Sequence, residues 1–197
     1  MANVALSNDE TTCLENKEFF ILKKNIGIKL NNLLESFISK MNDLSNENEL
    51  LLELLEKESA KISRGENYLN FPYWVLDYPR CFYGKDVMAC RTMIWWGNEI
   101  SFTIHISGLF KEKYLYQIKS LLASEVSNHY WCINQHPWEY HFNENNSVLL
   151  NSLSTQYIEQ HLKEKDFVKI SQKISLNEYE KMINVGIKFY NSFFCAL

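Results

Sequence analysis

Glycine and proline are scarce in this chain of 197 residues, at six and three, which argues against a loop-rich or disordered protein. Arginine is scarce too: Arg64, Arg80 and Arg91 are the only three among twenty basic residues. No run approaches the ~20 apolar residues that a membrane-spanning helix needs. The opening stretch from Met1 to Asn16 is polar and the first apolar run is only Phe19 to Leu22, so no secretory signal is read there. The five cysteines, Cys13, Cys81, Cys90, Cys132 and Cys195, form no CxxC pair, and reduced thiols in a cytoplasm are the economical reading. There is no basic excess: the formal net charge is −4, without the positive footprint that nucleic-acid binding usually requires. Neither nucleic acid nor membrane is therefore expected as a partner. GxGxxG, a Walker loop, HExxH and GxSxG are absent, which removes several enzyme classes in their usual form.

What is present is enough apolar material, 46% of residues, for one domain with a true core. The periodicity predicts an α+β fold within a single domain spanning residues 1–197. Ile26, Leu30, Leu33, Phe37, Met41 and Leu44 recur every three or four positions, the stripe of a helix. After the polar stretch Asn42 to Asn46, a second helix carrying Leu50, Leu51, Leu54, Leu55 and Ile62 is predicted to stop at Gly65. The two read as an N-terminal helical hairpin over about 15–64.

The segment 67–142 holds all five tryptophans and all three prolines. A strand is predicted at Tyr73 to Tyr78, and the prolines that bracket it suit a sheet edge or a strand end. The strongest local signal is a β-hairpin, Val87 to Trp96 with Glu99 to Ser107, turning at Gly97-Asn98. A two-residue turn there places Arg91 among Met93, Trp95, Phe102 and Ile104, and sets Cys90 opposite His105. A helix follows over Lys111 to Asn128 with Val126 on its apolar side. A second hairpin is expected from His129 to Ile133 with Trp138 to Phe142. The remainder, about 146–197, reads as helices from Ser147 to Lys165 and from Leu176 to Phe194, the latter capped by Ser175. A short strand at Phe167 to Ile174 lies between them. Gly186 inside the last helix points to a close packing contact, since glycine there costs about 1 kcal/mol against alanine.

A guanidinium among apolar side chains must be paired, and Asp77 or Asp86 is the nearest carboxylate in sequence. The leading functional expectation is a small-molecule binding protein. Its aromatic pocket would be lined by Trp74, Tyr78, Trp96 and Trp131, with Arg91 or Arg80 as anchor and Asp77 beside it. The alternative is an enzyme using Cys90 as nucleophile with His105 as base, or a metal held by His129, His136 and His141 near Cys132 and Glu139. The spacing of those histidines matches no established metal motif, and no cofactor is specified. A third reading is an interaction protein forming a homodimer through its Leu-rich helices.

Overall fold

Helical stripes and alternating strands must bury their apolar faces against one another. The computed structural model, which describes residues 4–123 and 128–195, does so with helices on one face of a single antiparallel sheet. The N-terminal part contains α1 (Asn8–Glu15), α2 (Lys17–Ser45) and α3 (Glu49–Leu55). Asn16 opens α2 by accepting a hydrogen bond from the Phe19 N–H, and Asn48 opens α3 by accepting from the Leu51 N–H. The second helix of the hairpin is shorter than its pattern suggests. It ends at Leu55, and the residues from Lys61 onward become a strand, so Gly65 lies inside a strand instead of ending a helix.

The sheet contains β1 (Lys61–Tyr68), β2 (Phe71–Tyr83), β3 (Asp86–Trp95), β4 (Glu99–Ser107), β5 (His129–Cys132), β6 (Ser147–Leu149) and β7 (Phe167–Ser175). Their spatial order is β1-β2-β3-β4-β7-β5-β6. β2 is therefore interior and not an edge; Pro72 stands at its start, as the strand-end alternative has it, whereas Pro79 lies within it. Pro79 is tolerated because the β2–β3 register shifts between Asp77 and Arg80, a bulge where a missing N–H breaks no ladder. The expected second hairpin is replaced: β5 pairs with β6 and β7, and residues 138–142 are not a strand. The helix expected from Ser147 begins instead as β6, with α6 confined to Thr155–Glu164.

Two shorter helices, α4 (Gly108–Lys113) and α5 (Leu115–Ala123), occupy the place of the predicted Lys111 to Asn128 helix; Val126 lies outside the described residues. The last helix, α7 (Met182–Phe194), follows a 3-10 turn at Leu176–Lys181 whose capping box uses Ser175 and Glu178. Among the described residues no helix is long and apolar enough to cross a membrane.

One sheet face is the core. Leu34, Phe37 and Met41 of α2, Leu51 and Leu54 of α3, Ile118 of α5 and Phe189, Tyr190 and Phe193 of α7 pack on Leu76, Cys90, Ile94, Ile100, Phe102, Ile104 and Ile170. Gly186 makes the close contact its position implies: an added Cβ would lie 2.5 Å from the Phe102 ring and 2.6 Å from Phe37. Much of the Leu-rich helical pair packs into this core, while Leu52 is 40% exposed. Leu34, Leu51 and Leu54 are fully buried within the chain.

The central hairpin differs from expectation by one residue. Ile94 pairs with Ile100 and Val87 with Ser107, which leaves a three-residue loop, Trp96 to Asn98, with Gly97 at φ +71°. A one-residue slip moves a whole strand's side chains to the other face. Ile100, Phe102, Ile104 and Ile106 therefore meet the helices together with Cys90 and Ile94, while Arg91 shares its face with Ser101, Thr103 and His105.

Candidate functional site

The face away from the helices carries an unusual row of buried and partly buried polar groups. Asp77, Arg91, Thr103 and Ser171 are register partners across β2, β3, β4 and β7. Arg91 donates to both Asp77 oxygens, Nε to Oδ1 at 2.7 Å and Nη2 to Oδ2 at 2.8 Å. This bidentate geometry is the strong form of a carboxylate pair. Burial works against the guanidinium charge, but the Asp77 hydrogen bonds and neighbouring anionic groups outweigh it, and the Arg91 pKa rises above its ordinary value. Thr103 and Ser171 hydroxyls bond each other at 2.8 Å.

Lys169, one step along β7, is only 2% exposed. Its ammonium donates to the Pro137 carbonyl at 3.0 Å and to the Glu139 carbonyl, and lies 4.2 Å from the centre of the Tyr140 ring. Arg91 lies 4.3 Å from the same ring. The segment after β5 therefore closes over this face, with buried Lys169 and partly buried Arg91 on one tyrosine. Burial, reinforced by the Arg91 charge, pushes the Lys169 pKa down to about 8. His105, 1% exposed, is pushed to about 3 by burial and by the Lys169 and Arg91 charges, so it is neutral at ordinary pH.

The expected residues are not gathered into one pocket. Arg91 and Asp77 are paired to each other on the sheet face away from the helices. Arg80 pairs with Glu58 through Nη2 at 2.9 Å. Tyr78 lies on the helix side, donating to Asn42 Oδ1 at 2.6 Å. Trp131 is fully buried and donates to His161 Nδ1 at 3.1 Å. Trp74 and Trp96 do come together, stacked at 5.4 Å and 19°, on the helix side and far from Arg91's partners.

Cys90 and His105 are not brought together either. Cys90 pairs with Ile104 and His105 with Ala89, which directs them to opposite faces. Burial drives the Cys90 thiol pKa well upward, away from the thiolate a nucleophile requires. His129 packs against Phe189 at 5.1 Å under the helices, whereas His141 lies at 3.7 Å from Glu139 and His136 is exposed. Among the described residues no three His, Cys, Asp or Glu side chains converge on a metal position.

An open site exists elsewhere. A cleft of about 580 Å³ separates α2 from β1 and β2. That volume falls within the usual range for ligand pockets, ~300–1,000 Å³. Its helical wall is one α2 face, Phe20, Lys23, Lys24, Gly27, Ile28 and Asn31, spaced by three and four. Arg64 and Glu66 rise from β1 opposite, and Trp74 of β2 forms the floor. Gly27 makes the floor reachable: a Cβ there would lie 3.1 Å from the Trp74 ring, so the helix and indole meet only because the side chain is missing. Arg64 lies 5.9 Å from the Trp74 ring centre, at the outer limit of a cation–π contact. Lys23 pairs with Glu66 at 2.5 Å, while Lys24 and Arg64 have no ion-pair partner among the described residues. Three cations against one carboxylate leave the cleft positive in a chain of net charge −4.

Sequence reasoning named Trp74 for a pocket but missed Arg64, Lys24, Gly27 and Phe20. The three-and-four spacing of Phe20, Lys24 and Gly27 is visible in the sequence, yet it marks an exposed helix face equally well until β1, with Arg64, is placed opposite. No protein-family model, curated protein or solved structure matches the chain.

Proposed function

We propose that this protein binds a small anionic ligand with an apolar or flat portion in the cleft between α2 and the β1–β2 strands. The observation carrying the reading is Arg64: an exposed guanidinium free of carboxylate partners among the described residues, standing over Trp74 in a cleft of about 580 Å³. The expectation of an aromatic pocket with an arginine anchor is kept, but the anchor moves. Arg91 and Arg80 are held by Asp77 and Glu58, and a guanidinium already in a bidentate pair has little left for a ligand. Arg64 and Lys24 would hold the anion, Arg64 with its planar fork and Lys24 as a point charge. Phe20 and Ile28, both about half exposed, would cover the apolar portion.

The test uses 8-anilino-1-naphthalenesulfonate as a flat anionic probe, titrated by fluorescence into the folded protein. Arg64→Gln should weaken binding by about 10-fold or more, the value of one charge-assisted contact, with an unchanged melting temperature. Equal affinity in Arg64→Gln and the parent protein would overturn the proposal.

A further inference from the structure

The N-terminal arm poses a separate problem. α1 buries none of its residues, and every residue from Lys17 to Leu22 at the start of α2 is exposed. Phe19, Phe20, Ile21 and Leu22 are consecutive, and each helical residue turns by 100°, so this run is apolar on all sides. A helix that is apolar all round is normally buried. Phe20 faces the cleft, but Phe19, Ile21 and Leu22 are 45%, 60% and 58% exposed, with Leu14 and Leu6 at 63% and 58%.

At roughly 100 Å² for each half-exposed large side chain, these five present on the order of 500 Å² of apolar surface. A stable protein interface buries about 800 Å² per partner, of which about 60% is apolar, so the arm alone carries the apolar share of one such interface. The charges around it are segregated. α1 contains Asp9, Glu10 and Glu15 and no Lys or Arg, and Glu18 follows, so that Lys17 is the one cation on this acidic side; beyond the apolar run Lys23 is paired with Glu66, Lys24 lines the cleft, and Lys29 has no ion pair among the described residues.

We propose that this arm pairs with the same arm of a second copy in a two-fold antiparallel contact. A two-fold contact is self-complementary: the Phe19–Leu22 runs meet near the axis, and each copy's acidic α1 lies beside the other's Lys29, Lys24 being turned to the cleft. A membrane surface or an unrelated partner would satisfy the apolar run, but neither uses the acidic and basic halves together.

Sedimentation equilibrium of the full chain tests this. The parent protein should report about twice its 23.3 kDa chain mass at micromolar concentration, with association weakening as salt is raised. Ile21→Glu with Leu22→Glu should weaken self-association by on the order of 100-fold while the circular dichroism spectrum of the folded chain is unchanged, since both side chains are exposed. Glu15→Lys with Glu18→Lys should weaken it as well. A parent protein of 23.3 kDa at every concentration would overturn the proposal, whether or not it binds vesicles or another protein, and so would a dimer insensitive to both variants.

Discussion

Replacing Lys169 with methionine should remove a specific part of the protein's pH dependence. Methionine keeps the length and packing of the stem and deletes the ammonium. In the native state the Lys169 pKa is lowered to about 8, chiefly by burial, against about 10.4 in an unfolded chain. Between those values the unfolded state holds the proton and the native state does not. Stability therefore rises with pH across this window, by about 1.4 kcal/mol per unit at most and roughly 2–3 kcal/mol in all by pH 10. Other buried groups act in the opposite sense. The Cys90 and Cys81 thiols are raised by burial, so the native state keeps their protons while the unfolded chain loses them, and stability falls as pH passes the unfolded thiol value near 8.5.

The difference between parent and Lys169→Met cancels those thiols and isolates the lysine. Losing the bonds to the Pro137 and Glu139 carbonyls shifts that difference by a constant and leaves its slope alone. Urea unfolding at pH 7, 8, 9 and 10 measures it. The stability of the parent relative to the variant should climb by roughly 2–3 kcal/mol from pH 8 to 10. A pH-independent difference would refute the claim that Lys169 is buried and charged at neutral pH.

The pairing of Arg91 predicts that Asp77→Ala destabilises by about 3 kcal/mol, because it strands a largely buried guanidinium. Replacing both Asp77 and Arg91 with leucine should cost less than the single change, which chemical denaturation of the two variants will decide. Gly186→Ala sets helix propensity against packing. The gain of about 1 kcal/mol is outweighed by fitting a methyl within 2.6 Å of Phe102 and Phe37, which are fully buried, and thermal unfolding should show a net loss of about 1–2 kcal/mol.

The α+β class, the helical stripe of α2, the strand at β7 and the cap at Ser175 were all legible because each is a local signal. What local signals did not specify was phase. Gly97-Asn98 fits a two-residue turn, but the chain uses three residues with Gly97 in the left-handed region, and that single step moved His105 away from Cys90 and Ile104 away from Arg91. The Arg91–Asp77 pair survived the slip because it depends on β2 pairing with β3, not on the turn. Trp138, Tyr140 and Phe142 alternate like a strand yet form a covering segment, since the carbonyls of Pro137 and Glu139 are taken by Lys169 instead of a neighbouring strand. The cleft was illegible for a different reason: Arg64 was assigned near the end of a helix, and only as part of β1 does it face Lys24 and Trp74 across open space.

The proposed ligand site is the Arg64 cleft and not the Arg91 face. Backbone and side-chain amide chemical shifts, followed by NMR during titration with 8-anilino-1-naphthalenesulfonate, test it most directly. The largest changes should fall on Gly27, Lys24, Arg64 and the Trp74 indole, with Arg91 and Tyr140 unmoved. Changes centred on Arg91, Lys169 and Tyr140, or spread evenly over the chain, would contradict it.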